Sequence, residues 1–408
     1  MKITRRAALK GLALGPLVTA LPNLAFADVD TDRRLAVVFL RGGADGLTLA
    51  PAYGDPDFLA VRGVLADDLP GSGGRFEMLD LDGFFAFNPD LKRMHAMYRD
   101  EDALLIHATT TGYRERSHFD AQDALDRGSV DKGVDSGWLN RALSVMPGQF
   151  GVGREQLALG LGPNLPLSLR GPVPVGNWSP PVAPNLTEDT MERLARLFDQ
   201  DALLGSALEK ARSAASMAGA MGGGSNTGLF QTLSAAAGSF LAQKNGPRIA
   251  TIDYGGWDSH SDQNRRNVPG PENAYYAGRF PEMYLALDAG LQALKEELGK
   301  AWSKTAVLIV TEFGRTVHVN GTDGTDHGTG GAALLLGGAV AGGRVIADWP
   351  GLKPRDLYEA RDLYPTTDIR SIMKGLLHDH LGLDEGVLEG RVFPDSRRTK
   401  PLGGLVRT

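Results

Sequence analysis

Five short runs set what this chain can fold into. They are Leu35–Leu40 (LAVVFL), Ala103–His107 (ALLIH), Arg248–Asp253 (RIATID), Ala306–Val310 (AVLIV) and Ala332–Leu336 (AALLL). Each is too short for an amphipathic helix and apolar almost throughout, as a strand buried on both faces must be. Helical patterns alternate with them. Asn88–Arg99 opens with Asn, Pro and an acid, the composition of a helix start. A second helix is predicted from His118 to Arg127, a third begins at Thr187, and Phe280–Leu298 repeats Met283, Leu287, Leu291, Leu294 and Leu298 along one stripe. A closing helix over Thr366–Leu381 carries Ile369, Ile372, Met373, Leu376 and Leu377. This alternation predicts an α/β fold, a mostly parallel central sheet with helices on both faces. A further strand is expected within Gln156–Ser168, and the segment GPVPVGNWSPPVAPN after it reads as surface loop. With 408 residues the length prior allows one large domain or two. The small, uncharged segment 213–227 reads as a flexible insert that does not divide the chain, so residues 28–408 are expected to form one domain.

Residues 1–27 read as an export leader. Arg5 and Arg6 precede an apolar stretch from Gly11 to Leu21, and Ala25-Phe26-Ala27 makes a cleavage site after Ala27. The arginine pair resembles the twin-arginine signal, which implies the twin-arginine translocase as a partner and a periplasmic or extracellular location. No other apolar run approaches the roughly 20 residues of a bilayer span, so no membrane span is expected in the mature protein. The chain has no Cys, which excludes disulfides, thiolate catalysis and Cys-ligated metal. Its net charge of −6 becomes −10 without the four basic residues of the leader, which argues against a nucleic-acid binder.

The chemistry lies where the strands stop, because ligands of open α/β sheets gather beyond the carboxyl ends of strands. The first strand ends in Arg41-Gly42-Gly43-Ala44-Asp45; Asp45 is a strand-end carboxylate, or an Asp serving its own turn. The second leads to Ser117 and His118 at a helix start, which suits a phosphoryl-accepting hydroxyl or a plain cap. The later strands deliver Asp258 and His260, then Glu312 and Arg315, then Asp326 and His327. His with carboxylates suits Zn or Mn, and a carboxylate-dominated subset suits Ca or Mg. Arg315 either clamps an anion or pairs with Glu312 or Asp326.

Taken in order, the leader, FLRGGADGL, RSHFDAQD, GGWDSH, TEFGRT and TDHGTGG resemble an uncharacterised exported bacterial family of unknown function. That family is grouped with the alkaline-phosphatase and sulfatase superfamily. The resemblance implies an alkaline-phosphatase-like α/β sandwich with metal bound at strand ends and a hydroxyl nucleophile at a helix N-terminus. By order along the chain it implies Asp45, Asp258, His260 and His327 as metal ligands and Ser117 as nucleophile. Glu312 and Arg315 stand where the superfamily commonly has Asp-His-Gly, and Arg cannot bind a cation. One ion, two or none are therefore all open. The C/S-x-P-x-R signature of sulfatases is missing. The combined expectation is a metal-dependent hydrolase of a phosphate or related small anionic ester. Metal ligands are drawn from Asp45, Asp258, His260, Glu312, Asp326 and His327. His118 serves as acid or base, and Arg41 and Arg315 clamp the substrate. The alternatives are a non-catalytic binding protein and a structural metal site.

Overall fold

The structure is a computed structural model that describes residues 32–146, 157–180, 226–264 and 279–407. The leader, the helix expected from Thr187 and nearly all of the 213–227 insert lie outside these residues. Among the described residues nine strands form the central sheet: β1 (Arg34–Arg41), β4 (Ala103–Thr110), β5 (Ala158–Leu161), β6 (Gly176–Trp178), β7 (Ile249–Gly255), β8 (Thr305–Val310), β9 (Gly331–Leu336), β10 (Arg344–Ile346) and β11 (Thr367–Asp368). The intervening pair β2 (Leu79–Asp80) and β3 (Ala86–Phe87) makes a separate two-stranded ribbon. The order across the sheet is β10-β4-β9-β8-β1-β7-β5-β6, with β11 also pairing with β4. All pairs are parallel except those of β9, which runs against both β4 and β8. The reason is the connection. Residues 311–330 hold no helix to return the chain to the far edge, so β9 must start where β8 stops.

Helices cover both faces, as the apolar strands require. Val38, Ile252, Ile309 and Leu334 pack on one face against α1 (Lys92–Arg99), α4 (Asn226–Ala242) and α5 (Arg279–Leu298). Val37, Ile106, Leu308 and Leu335 pack on the other against α2 (His118–Arg127), α3 (Trp138–Val145) and α6 (Ile369–Gly375). Thus the α/β sandwich with a mostly parallel sheet is present. Among the described residues no helix is long and apolar enough to cross a membrane.

Three local expectations need correction. Helix α1 starts at Lys92, because the Asn88 side chain is spent on the Asp90 amide and on the Thr48 carbonyl, holding 88–91 as a buried turn. The segment expected as surface loop contains edge strand β6, which pairs with β5 through Gly176–Trp178. The closing helix is shorter: Thr367 and Asp368 join β4 as β11, Asp368 caps α6 by accepting from the Arg370 amide, and Leu376–His380 is a wider π turn.

Candidate metal centre

Three connections at the carboxyl edge of the sheet build the site: 111–118 after β4, 256–263 after β7, and 311–330 between β8 and β9. The last folds back on itself. The Thr316 amide donates to the Asp326 carbonyl (2.9 Å), the Gly328 amide to Gly314 (2.8 Å) and the Gly314 amide to Thr329 (3.0 Å). A Cβ at Gly314 would collide with the Gly330 backbone, so the two limbs close only with glycine there. Gly42, at φ +119, likewise lets the Trp257–Asp258 backbone lie on the end of β1.

These connections bring three imidazoles to one carboxylate. Asp258 Oδ1 lies 3.3 Å from His118 Nε2, 3.0 Å from His260 Nε2 and 3.2 Å from His327 Nε2. His327 Nε2 is also 2.9 Å from His118 Nε2 and 3.1 Å from His260 Nε2. The opposite nitrogen of each ring meets an acceptor. Nδ1 of His118 lies 2.8 Å from Glu312 Oε1, Nδ1 of His260 3.0 Å from Asp326 Oδ1, and Nδ1 of His327 3.0 Å from the Arg116 carbonyl. Arg116 presents that carbonyl from a left-handed backbone, φ +59. Acceptors at all three Nδ1 atoms place the proton on Nδ1 in the neutral rings. Three Nε2 lone pairs then face one another and the Asp258 oxygen.

Two buried groups hold this arrangement. Glu312, fully buried, accepts at Oε1 from the Gly42 amide (2.8 Å), His118 and the Gln122 side chain (2.9 Å). Burial opposes its ionisation, but these donors hold its pKa below the ordinary value. Arg315 is buried and donates to the carbonyls of Gly43 (2.7 Å), Gly42 (2.8 Å), Trp257 (3.0 Å) and Thr325 (3.3 Å), and to Asp258 Oδ1 (2.8 Å). Burial works against the Asp258 carboxylate too; the Arg315 guanidinium overrides it and keeps Asp258 well below the usual range. Desolvation and the neighbouring His118 lower His327, whereas His118, despite burial, is raised by its bond to Glu312.

The donor set fits a metal ion. His118, Asp258 and His327 offer ligand atoms mutually within 4.8 Å, and His260 meets the same Asp258 and His327 atoms. A tetrahedral ion with bonds of about 2.0–2.2 Å spaces its ligands about 3.3–3.6 Å apart, slightly wider than here. Imidazoles anchored at Nδ1 by carboxylates or carbonyls are the usual support of such sites.

Of the residues expected at the site, Asp258, His260, His327, Glu312, Asp326 and His118 gather here, with roles shifted. His118 turns Nε2 into the cluster and Nδ1 onto Glu312, so neither nitrogen is left for acid–base work. Glu312 and Asp326 lie behind imidazoles. Asp45 does not join them: its buried carboxylate accepts from Arg62, Thr48 (2.7 Å), Gln263 (2.6 Å) and the Leu47 amide (3.1 Å). Burial would raise its pKa, and Arg62 holds it down. Ser117 occupies the cap position of α2 without a cap bond from its side chain. Arg41 is consumed by Asp126 (2.9 Å) and Asp253 (3.0 Å). Burial would lower its pKa, but these two carboxylates raise it. Arg315 pairs with Asp258 rather than Glu312 or Asp326, and its five contacts leave no fork for a ligand. Arg116 and Gln122 also support the cluster and lie in the RSHFDAQD stretch, the signal that could have marked them, whereas Arg361 carries no spacing that sequence alone would single out.

The chain resembles several solved structures at low identity. One is a protein in the alkaline phosphatase superfamily from Vibrio parahaemolyticus, with 10% identity, 94% of this chain and 76% of that one covered, and a TM-score of 0.40. The PsFucS1 sulfatase from Pseudoalteromonas sp. gives 12% identity, 100% and 78% coverage and a TM-score of 0.40. The phosphonate monoester hydrolase of Agrobacterium radiobacter gives 14% identity, 86% and 74% coverage and a TM-score of 0.32. Likenesses this distant carry no statement about the site. No curated protein matches the sequence. A family model described as "Protein of unknown function (DUF1501)" matches residues 114–394, a span that holds every residue of the imidazole cluster and its anchors except Gly42 and Gly43, and the chain belongs to that family.

Proposed function

We propose that this protein is exported by the twin-arginine route, is cleaved after Ala27, and is a metal-dependent hydrolase of a phosphate or related anionic ester, its residues 28–408 forming one domain. One observation carries the reading: three imidazole Nε2 atoms and the Asp258 oxygen converge at 2.9–3.3 Å with acceptors behind the rings, so that in the neutral rings the Nε2 lone pairs face one another. Such a group of acceptors is repulsive until a cation joins it. His118, Asp258, His260 and His327 hold the ion. When bound, a divalent ion supplies Lewis-acid chemistry at an ester oxygen. The donor set, rich in nitrogen, favours Zn or Mn over Ca or Mg. Glu312, Asp326 and the Arg116 carbonyl fix the ring orientations, and Arg315 keeps Asp258 ionised. Ser117, next in sequence to His118 at the start of α2, is the candidate hydroxyl to accept a transferred group, and water is its competitor.

A second reading, a binding protein without turnover, is favoured by the full occupation of His118, which leaves Ser117 no neighbouring imidazole base. One experiment separates the two. Protein purified from the exported compartment is analysed for metal, then assayed on p-nitrophenyl phosphate and sulfate before and after chelation. Metal near one equivalent with chelator-sensitive turnover supports the hydrolase. Absence of turnover supports the binding protein, with or without metal, and absence of metal overturns the hydrolase.

A further inference from the structure

With Arg41 and Arg315 tied up, the anion-binding cation must be another. We propose that Arg361 receives the oxyanion of the ligand beside the imidazole cluster, an inference that rests on the metal-centre reading. Its Nη2 donates to the His327 carbonyl at 2.9 Å, which sets the guanidinium against a residue of the cluster. Its side chain is 40% exposed, whereas that of Arg315 is fully enclosed. Among the described residues it forms an ion pair with Asp362 alone, at 3.4 Å from Nη1, and Asp362 Oδ1 forms no hydrogen bond. The other oxygen of Asp362 is already taken by Arg116, through Nε at 2.9 Å and Nη2 at 2.8 Å. Arg361 is thus held in place by one backbone carbonyl and only loosely by Asp362. Its Nε forms no hydrogen bond among the described residues and Nη2 keeps a second N–H; Nε–H and Nη2–H lie along one edge of the guanidinium, and two such donors in a plane match two oxygens of a phosphate or sulfate.

The charges agree. Asp258, Glu312 and Asp326 contribute three negative charges around the cluster; Arg315 and a divalent ion balance them. The filled cluster is formally neutral, so an anionic ligand gains from a further cation at its rim.

The test is calorimetric titration of inorganic phosphate into the zinc-loaded full chain, with metal content and melting temperature measured on each sample. Arg361→Gln is expected to weaken phosphate binding roughly ten- to a hundredfold, the value of a lost charge-assisted contact. Metal content is expected to stay unchanged. Arg361→Lys, which keeps the charge but loses the planar fork, is expected to fall between. Arg355→Met, which removes a cation 79% exposed, is the control and is expected to bind as the parent. Parental affinity in Arg361→Gln overturns the proposal, as does a loss of phosphate binding that merely follows a loss of zinc. Should Arg361→Gln fail to fold, Arg361→Lys decides: parental affinity there overturns the fork. A parent that takes up no zinc defeats the metal reading itself, and titration without metal then still decides Arg361.

Discussion

Glu312→Gln separates a carboxylate that orients an imidazole from one that binds metal directly. The substitution keeps the volume of a fully buried side chain. The amide oxygen can still accept from the Gly42 amide, Gln122 and His118, all at 2.8–2.9 Å. The amide nitrogen replaces Oε2 and can donate to the Thr311 hydroxyl oxygen (3.2 Å), whose own proton goes to the Leu40 carbonyl (2.8 Å). What changes is charge. A hydrogen bond to an ionised partner is worth about 1.5–3 kcal/mol and a neutral one about 0.5–1.5 kcal/mol, so the bond holding His118 loses about 1–2 kcal/mol. That agrees with the roughly 10- to 100-fold loss of metal affinity found when such supports are removed. The apo fold should lose less, because removing a buried charge also removes its desolvation cost. The assay is zinc competition against a chromophoric chelator at about neutral pH, with thermal melts of the metal-free proteins. An unchanged zinc affinity refutes the role of Glu312 behind His118. Complete loss of binding with an intact fold refutes it too, because it makes Glu312 a ligand.

Two further outcomes are expected. His107 is fully buried, its Nδ1 accepts the Ala108 amide, and burial pushes its pKa down to about 4. The unfolded chain binds that proton near pH 6.5, so stability present above pH 6.5 should be lost by roughly 3 kcal/mol as pH falls to 4; urea unfolding of the parent and His107→Phe across this range checks it, and equal slopes would contradict it. Replacing Arg5 and Arg6 together by Lys should leave the uncleaved precursor in the cytoplasm, read by fractionation and immunoblot; unchanged export would sink the twin-arginine assignment.

Much of the fold was legible because a strand buried on both faces has no polar position to blur it. Val37, Leu308 and Leu335 sit on one face of the sheet, Val38, Ile309 and Leu334 on the other, and every one is apolar. The site was legible as a set of strand ends but not as a division of labour. Asp45 and Asp258 both follow a strand and a glycine turn, and it is Arg62, 17 residues on from Asp45, with Thr48 and Gln263, that holds the first carboxylate inward. His118 carries the mark of a helix start, which hides that its ring reaches across to Glu312, 194 residues away. Arg116 acts through its backbone carbonyl, which leaves no trace in residue type, and Arg361 donates its side chain to the carbonyl of His327, 34 residues away in sequence.

The reversed strand β9 explains why one connection supplies so much of the cluster. A parallel crossover would have carried the chain from the end of β8 to the opposite edge, and Asp326 and His327 would have left the site with it. Because β9 starts at the same edge, residues 311–330 form a closed loop with an isolated bridge between Arg315 and His327. Arg315 and His327 therefore both meet Asp258, each fixed by one set of backbone hydrogen bonds. The second limb of support comes from separate elements: α2 brings His118 and Gln122 to Glu312, and the loop after β7 brings His260 to Asp326. Each ring is thus anchored by a group that is itself packed or bonded without reference to an ion. On the proposed metal reading, a site built this way exists before an ion arrives, so binding would add stability through mass action rather than through folding of the domain.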